Sequence, residues 1–319
     1  FFFKQKTAYE IYQCDWSSDV CSSDLNEARL GVAVQGLSQS ELAYQNAVAY
    51  AKERIQSVAL TNPKGGSVAI INHPDVRRML MDIRCINEAA RLLCLEAAML
   101  CEDKSDAAQD RLGLMTPVLK GVLTDYGFEN AVKAQQVFGG HGYIKEWGME
   151  QIVRDARIAQ IYEGANGIQA LDLVGRKLPR DGGRAITTYF KDASALLSAQ
   201  AADDAMKPFI APMQAALGDL QKATMWLMQN ALAKPDNAGA ASYDYMHLFG
   251  RVALGLMWVK IARAALDAKS RAPETAAAMD AKLTTGRFYM ERILPETALR
   301  LARISTGADT MMSLPAEMF

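Results

Sequence analysis

Two short stretches hold the side chains whose types and spacing could do chemistry. In Gln136-Val137-Phe138-Gly139-Gly140-His141-Gly142-Tyr143, three glycines fall within four residues, so the backbone can turn sharply or approach a flat or phosphorylated ligand. No strand precedes them, which rules out a dinucleotide fingerprint. On the residues alone, a plain turn between helices is an equal reading. In Arg154-Asp155-Ala156-Arg157-Ile158-Ala159-Gln160-Ile161-Tyr162-Glu163-Gly164-Ala165-Asn166-Gly167-Ile168-Gln169, the carboxylate of Glu163 follows an apolar helix end and precedes a glycine. That order suits a base directed into a cavity, although in isolation it favours a surface glutamate at a helix C-terminus. His141 among glycines is no metal site, and His141 and Tyr143 are read as packing residues.

Positioning these stretches falls to helices. Leu30, Val34, Leu37, Tyr44, Val48, Ala51, Ile55 and Val58 recur at three- and four-residue steps and predict one amphipathic helix over 27–58. Pro63, Gly65, Gly66 and Pro74 mark a loop with at most a short extended piece at 68–71. A second helix begins at Asp75, whose carboxylate suits a first turn, and a third runs over about 107–137 with an interruption expected near Gly127. Short helices are expected at 148–161 and 167–178. Pro179-Arg180-Asp181-Gly182-Gly183 is the clearest boundary. Beyond it, helical patterns cover 185–202, 208–233, 242–269 and 273–304. The expected fold is all-α, one helical bundle over 26–180 followed by a second over 185–319.

Composition excludes several function classes. With 35 Lys+Arg against 36 Asp+Glu, the net charge of −1 lacks the basic surplus that nucleic-acid or anionic-membrane binding needs. The longest apolar run, 252–261, contains Gly255 and Lys260 and falls short of the roughly 20 residues of a membrane span. Cys85, Cys94 and Cys101 lie at spacings of about nine and seven on one apolar-periodic segment, without a metal-binding pattern. They read as core thiols, and their odd number fits a reducing cytoplasm. Residues 1–25 differ from the rest: Phe1–Phe3, Tyr9, Tyr12, Cys14, Trp16 and Cys21 show no apolar periodicity, and Ser17-Ser18-Asp19 and Ser22-Ser23-Asp24 close the stretch. This segment resembles a translated sequencing-adapter read-through and is expected to be non-native and disordered.

Taken together, about twenty residues apart and in this order, Gln-x-Phe-Gly-Gly-x-Gly-Tyr and Arg-Asp-x-x-Ile-x-x-Ile-Tyr-Glu-Gly resemble the flavin-contacting and catalytic segments of the acyl-CoA dehydrogenase family. Residues 26–178 resemble that family's C-terminal helical domain. The tail from 185 resembles the extra helical domain of a long subfamily that includes methylmercaptopropionyl-CoA dehydrogenases, as do His73-Pro74-Asp75-Val76-Arg77-Arg78-Met79-Leu80 and Asn26-Glu27-Ala28-Arg29-Leu30-Gly31-Val32. The family's N-terminal helical domain and β-domain should precede Asn26. The resemblance therefore implies a C-terminal fragment, inactive alone and unable to hold FAD tightly.

The implied chemistry is α,β-dehydrogenation of an acyl-CoA thioester, part of fatty acid β-oxidation. A carboxylate removes the α-proton while the β-hydrogen leaves as hydride to flavin N5, giving a trans-2-enoyl-CoA. The α-proton of a thioester is a weak acid, so the base has to sit in a dry pocket against the flavin, where its basicity rises. The resemblance assigns this role to Glu163, places Tyr162 and Gly164 against the substrate, and gives the Glu163 backbone N–H a share in polarising the carbonyl. In some relatives the base stands just before the residue matching Arg29. Here that position is Ala28, and Glu27 points about 100° away on the helix. Arg29 resembles the family arginine near the base, the alternative being a solvated helix-end charge.

For FAD, Arg54 matches an arginine that reaches the pyrophosphate from a neighbouring subunit, a contact suited to guanidinium. The next family contact, usually Thr, is Gln56 here. Gln136, Gly139 and Gly140 resemble the segment meeting the adenosine half across a dimer interface. After Gly164 the usual Thr is Ala165, which loses a hydroxyl that Asn166 would replace. Implied partners are an acyl-CoA, electron-transfer flavoprotein as electron acceptor, and further copies in a homodimer or homotetramer. An acyl-CoA oxidase and a non-catalytic helical interaction module remain the competing readings.

Overall fold

The computed structural model describes the backbone of residues 19–319 and the side chains of residues 26–319. The expectation for residues 1–18 lies outside the described residues. Helix α1 spans Asp19–Glu53, so residues 19–25 continue the helix rather than forming the disordered stretch expected of them. Extending a helix that already packs costs little once nucleation is overcome.

α1 also ends earlier than its periodicity suggests. Ile55–Val58 forms strand β1, which pairs antiparallel with β2, Ser67–Ala69, in the register Ile55↔Ala69 and Val58↔Ser67. β-branched Ile55 and Val58 suit the pleat as well as a helix, and the ladder across the Pro/Gly loop decides between them.

Helix α2, Pro74–Glu102, carries Pro74 in its first turn, where a missing N–H costs nothing. Helix α3, Asp106–Val137, starts on a Ser105 cap that accepts from the Ala108 N–H. It runs unbroken through Gly127, where an interruption was expected. The glycine serves a crossing instead: a Cβ on Gly127 would lie 2.6 Å from Gly36 O, and one on Gly36 would lie 2.6 Å from Leu123 O. α1 and α3 therefore pack backbone to backbone.

After α4, Met149–Ile158, and α5, Asn166–Asp172, the chain turns at Asp181, Gly182 and Gly183, all with positive φ. Arg184 pins this turn to α3 through two hydrogen bonds to Asp110, at 2.6 and 3.0 Å. Helices α6 (Arg184–Gln200), α7 (Lys207–Asn230), α8 (Pro235–Arg271), α9 (Ala276–Arg292) and α10 (Glu296–Ser305) follow. Pro295 divides the segment 273–304, read from sequence as one helix, into α9 and α10.

The turn at 181–183 separates two sets of helices in sequence, yet they share one core. Buried apolar residues form a continuous cluster from Ala33 on α1 to Ile304 on α10. α8 is its axis: every residue from 245 to 259 is buried, as expected of a helix enclosed on all sides. Trp258 Nε1 donates to Cys85 O at 2.9 Å, stitching α8 to α2. A smaller cluster, including Ala47, Ala51, Ile70, Met79 and Phe138, packs at the β1–β2 end. Cys85 and Cys94 are buried as expected, while Cys101 is only half-buried. Burial raises both inner thiols, Cys94 to about 12. Among the described residues, no helix is long and apolar enough to cross a membrane.

Candidate functional site

Between α4 and α5 the chain makes a tight turn, closed by Asn166 N–H donating to Gln160 O at 3.1 Å. At its tip Glu163 has φ 53° and Gly164 φ 82°. The left-handed region costs a residue with a Cβ about 1–2 kcal/mol, so the surroundings must hold Glu163 there. They do so through the carbonyls. Gln169 Nε2 donates to Glu163 O at 3.2 Å and to Gly164 O at 3.3 Å, and Lys120 Nζ donates to Gly164 O at 2.7 Å. A Cβ on Gly164 would lie 2.5 Å from Gln169 Nε2, so a side chain there would push this brace aside.

The Glu163 side chain is exposed. The dry pocket expected around it is not built by the described residues. Four apolar residues close to it in sequence, Ile158, Ile161, Ile168 and Leu171, are 40–51% exposed. Tyr162 is also exposed, and its hydroxyl donates to Gln35 Oε1 on α1.

Asn166 faces inward, which corrects its expected role as a cofactor contact. It is buried, its Oδ1 accepts from Lys120 Nζ at 2.8 Å, and its Nδ2 donates to Asp125 Oδ1 at 2.7 Å. With both ends of the amide engaged, it cannot replace the hydroxyl missing at Ala165. Ala165 is exposed as the residue preceding α5, and no side chain caps that helix.

Lys120 is fully buried. Burial pushes its ammonium down to about 8, against an opposing pull from Asp125. Asp125 is buried as well, yet its carboxyl stays below the ordinary value. The desolvation that would raise it is outweighed by donors from His247, Tyr243 and Gln160. None of Lys120, Asp125, Tyr243 or His247 was singled out from the sequence. The available signal was a lysine and an aspartate inside an otherwise apolar stretch of α3.

Arg29 is not a solvated helix-end charge. α1 starts ten residues before it, the side chain is buried, and its guanidinium lies 3.6 Å from Asp172. Its charge helps lower the Lys120 ammonium.

The other predicted residues gather elsewhere. Arg54, Gln136 and Gly139 line one cavity of about 380 Å³, together with Tyr50, Gln56 and His73. Among the described residues, Arg54 pairs with no carboxylate. Tyr50 stacks on Phe138 at 4.1 Å, and its hydroxyl meets His141 Nδ1 at 2.9 Å. His141 stacks on Trp147 at 4.8 Å, in agreement with a packing role. Tyr143 is 83% exposed and packs against little, contrary to expectation. Gly139 has φ 58°, and a Cβ on it or on Gly140 would meet nothing within 4 Å. Gly142 is the glycine that packing demands, since its Cβ would lie 2.4 Å from Gln135 O.

Gln35, which touches Tyr162, and Tyr50, which lines the cavity, are fifteen residues apart on α1. At 1.5 Å per residue that is about 22 Å. The Glu163 turn and the cavity are thus two separate places on the molecule.

Residues 18–178 match the family described as acyl-CoA dehydrogenase, C-terminal domain, and residues 189–315 match acetyl-CoA dehydrogenase C-terminal like. The chain belongs to the acyl-CoA dehydrogenase family. It is 33% identical over 300 residues to a 3-methylmercaptopropionyl-CoA dehydrogenase of Ruegeria pomeroyi, covering 91% of this chain and 50% of the relative. A broad-specificity linear acyl-CoA dehydrogenase of Mycobacterium tuberculosis is 29% identical over 320 residues, 92% of this chain and 52% of that one. In fold, the chain is similar to an acyl-CoA dehydrogenase complexed with FAD from Bacillus anthracis, with a TM-score of 0.70 at 15% identity over 89% of this chain and 49% of that one. The chain spans about half the length of the curated relatives it matches.

Proposed function

We propose that this chain supplies the C-terminal helical part of an FAD-dependent acyl-CoA dehydrogenase, with Glu163 as the α-proton base. The observation that carries this reading is the Glu163 turn. A glutamate is held at φ 53° in a turn whose carbonyls accept three bonds from the buried side chains of Lys120 and Gln169, while its carboxylate is exposed. Asp181 shares the positive φ in a turn between helices, so the reading rests on the exposed carboxylate at this braced turn and not on the strain alone.

In the assembled enzyme the exposed apolar side chains of Ile161, Ile168 and Leu171 would help exclude water once covered, and a drier Glu163 carboxylate is a stronger base. Glu163 takes the α-proton of the thioester. The turn, bare at Gly164, lets the acyl chain approach, and the Glu163 N–H polarises the carbonyl. Bound FAD supplies the acceptor for the β-hydrogen and its electron pair. Tyr162 lines the substrate side, and Arg29 with Asp172 supports α1 behind it.

The chemistry of the second cavity fits a phosphate-bearing group: the guanidinium of Arg54, which among the described residues pairs with no carboxylate, the amide of Gln136 and the bare backbone of Gly139, with Gly140 next to it in the chain. Lying about 22 Å along α1 from Gln35, it would serve FAD bound mainly by another copy, in a homodimer or homotetramer. Ala165 would lie near the flavin without a hydroxyl to offer. Electron-transfer flavoprotein is the proposed electron acceptor, and a reducing cytoplasm the proposed setting. The test is Glu163→Gln in the full-length protein, read as flavin reduction by an acyl-CoA under rapid mixing. Reduction should slow by about 10²–10⁴-fold, the usual contribution of a general base, at unchanged flavin content. A parental rate would overturn the assignment.

A further inference from the structure

Resting on the reading of Glu163 as the base, we infer that α8 positions Glu163 through a polar relay centred on the buried Asp125, with the buried His247 and the partly exposed Tyr243 as positioning residues contributed by the second set of helices. The chain of contacts is continuous. On α8, Tyr243 Oη and His247 Nε2 each approach Asp125 Oδ2 at 2.7 Å. The other oxygen of Asp125 accepts from Gln160 Nε2 at 2.6 Å and Asn166 Nδ2 at 2.7 Å, the two residues whose backbones close the Glu163 turn. Asn166 Oδ1 and Gly164 O share the Lys120 ammonium.

Four donors on one carboxylate use its whole accepting capacity. Removing the α8 pair would leave a buried charge half-satisfied, and such a group recruits water or swings toward it. Gln160 and Asn166 would lose their fixed acceptor, and the strained Glu163 would relax from φ 53°.

The orientation of His247 fits this role. Its Nδ1 has no hydrogen-bond partner among the described residues, so the neutral ring with the proton on Nε2 is the form that satisfies Asp125. Burial keeps the imidazole below its ordinary value despite the neighbouring carboxylate, with Arg300 and Arg251 adding to the effect.

Hydrogen exchange of the full-length protein, read by mass spectrometry on the peptides of this chain, tests the relay without added substrate. In Tyr243→Phe and in His247→Leu, amides of 160–169 should exchange at least tenfold faster while α9 and α10 keep the parental rate. His247→Gln, whose amide can replace the Nε2 donor, should restore most of the protection. Unchanged exchange at 160–169 in both variants overturns the relay. Uniform acceleration over all helices overturns it too, because the residues would then stabilise the fold without addressing the turn. Neither outcome bears on whether Glu163 is the base, which the flavin-reduction rate decides separately.

Discussion

Gly127→Ala tests the backbone contact between α1 and α3. The added methyl would sit 2.6 Å from Gly36 O and 2.9 Å from Gly36 Cα, both backbone atoms. Ordinary contact needs about 3.5 Å, so the helices must part by close to 1 Å or the methyl stays compressed. Overpacking of this kind costs about 1–3 kcal/mol, and more where only backbone can yield. Alanine recovers about 1 kcal/mol of helix propensity over glycine. Because only backbone atoms of Gly36 oppose the methyl, the cost sits at the upper end of that range, and the net expectation is a loss of about 1–2 kcal/mol.

Gly113 provides the control on the same helix. A Cβ there meets nothing within 4 Å, so Gly113→Ala should stabilise by about 0.5–1 kcal/mol. Urea unfolding followed by far-UV circular dichroism measures both. The two variants should move the midpoint in opposite directions. If Gly127→Ala proved as stable as Gly113→Ala, the close crossing, and with it the mutual placement of Arg29 on α1 and Lys120 on α3, would be refuted.

Lys120 predicts a pH window. Its ammonium is lowered from 10.5 to about 8, so the unfolded chain binds the extra proton between those values. Stability therefore rises with pH across the window, and the burial penalty is fully present below it. Relative to Lys120→Met, the parent should gain up to about 3 kcal/mol between pH 8 and 10.5 in parallel denaturant titrations; a constant difference would mean the ammonium is not desolvated. At the second cavity, Arg54→Ala in the full-length protein should weaken flavin binding about 10–100-fold, the worth of a charged hydrogen bond, as read by flavin fluorescence. Gly140→Asp should weaken flavin retention and self-association together in sedimentation, whereas loss of thermal stability alone would mark the segment as a simple turn.

Helices α1 and α2 were legible because each exposes one face, so apolar residues recur at 3.6-residue spacing, whereas residues 114–127 of α3 are all buried. α8 was less so. A helix buried on every side from 245 to 259 has no polar face to set a period, and its apolar run was informative only in being too short for a membrane. β1 was misread because Ile55 and Val58 continue the helical spacing, and only the partner strand at Ser67–Ala69 breaks it. Glu163, Arg54, Gln136 and Gly139 could be located from local motifs. What holds Glu163 could not: Lys120 reaches Gly164 across 44 residues and His247 reaches Asp125 across 122, and no local pattern encodes such pairs. The same blindness made Asn166 look like a ligand contact, since an asparagine beside a glycine suits an open loop as well as a buried bracket.

The bond from Trp258 to Cys85 O spans 173 residues, and it has a consequence for the chain during its synthesis. A ribosome adding about 5–20 residues per second needs roughly 10–35 s to deliver Trp258 after Cys85 has emerged. Throughout that interval the apolar side of α2 that α8 will cover faces water. The nascent chain therefore passes through a long period as a sticky half-molecule, and a chaperone that shields α2 until α8 arrives would raise the yield of folded protein more than one acting after release.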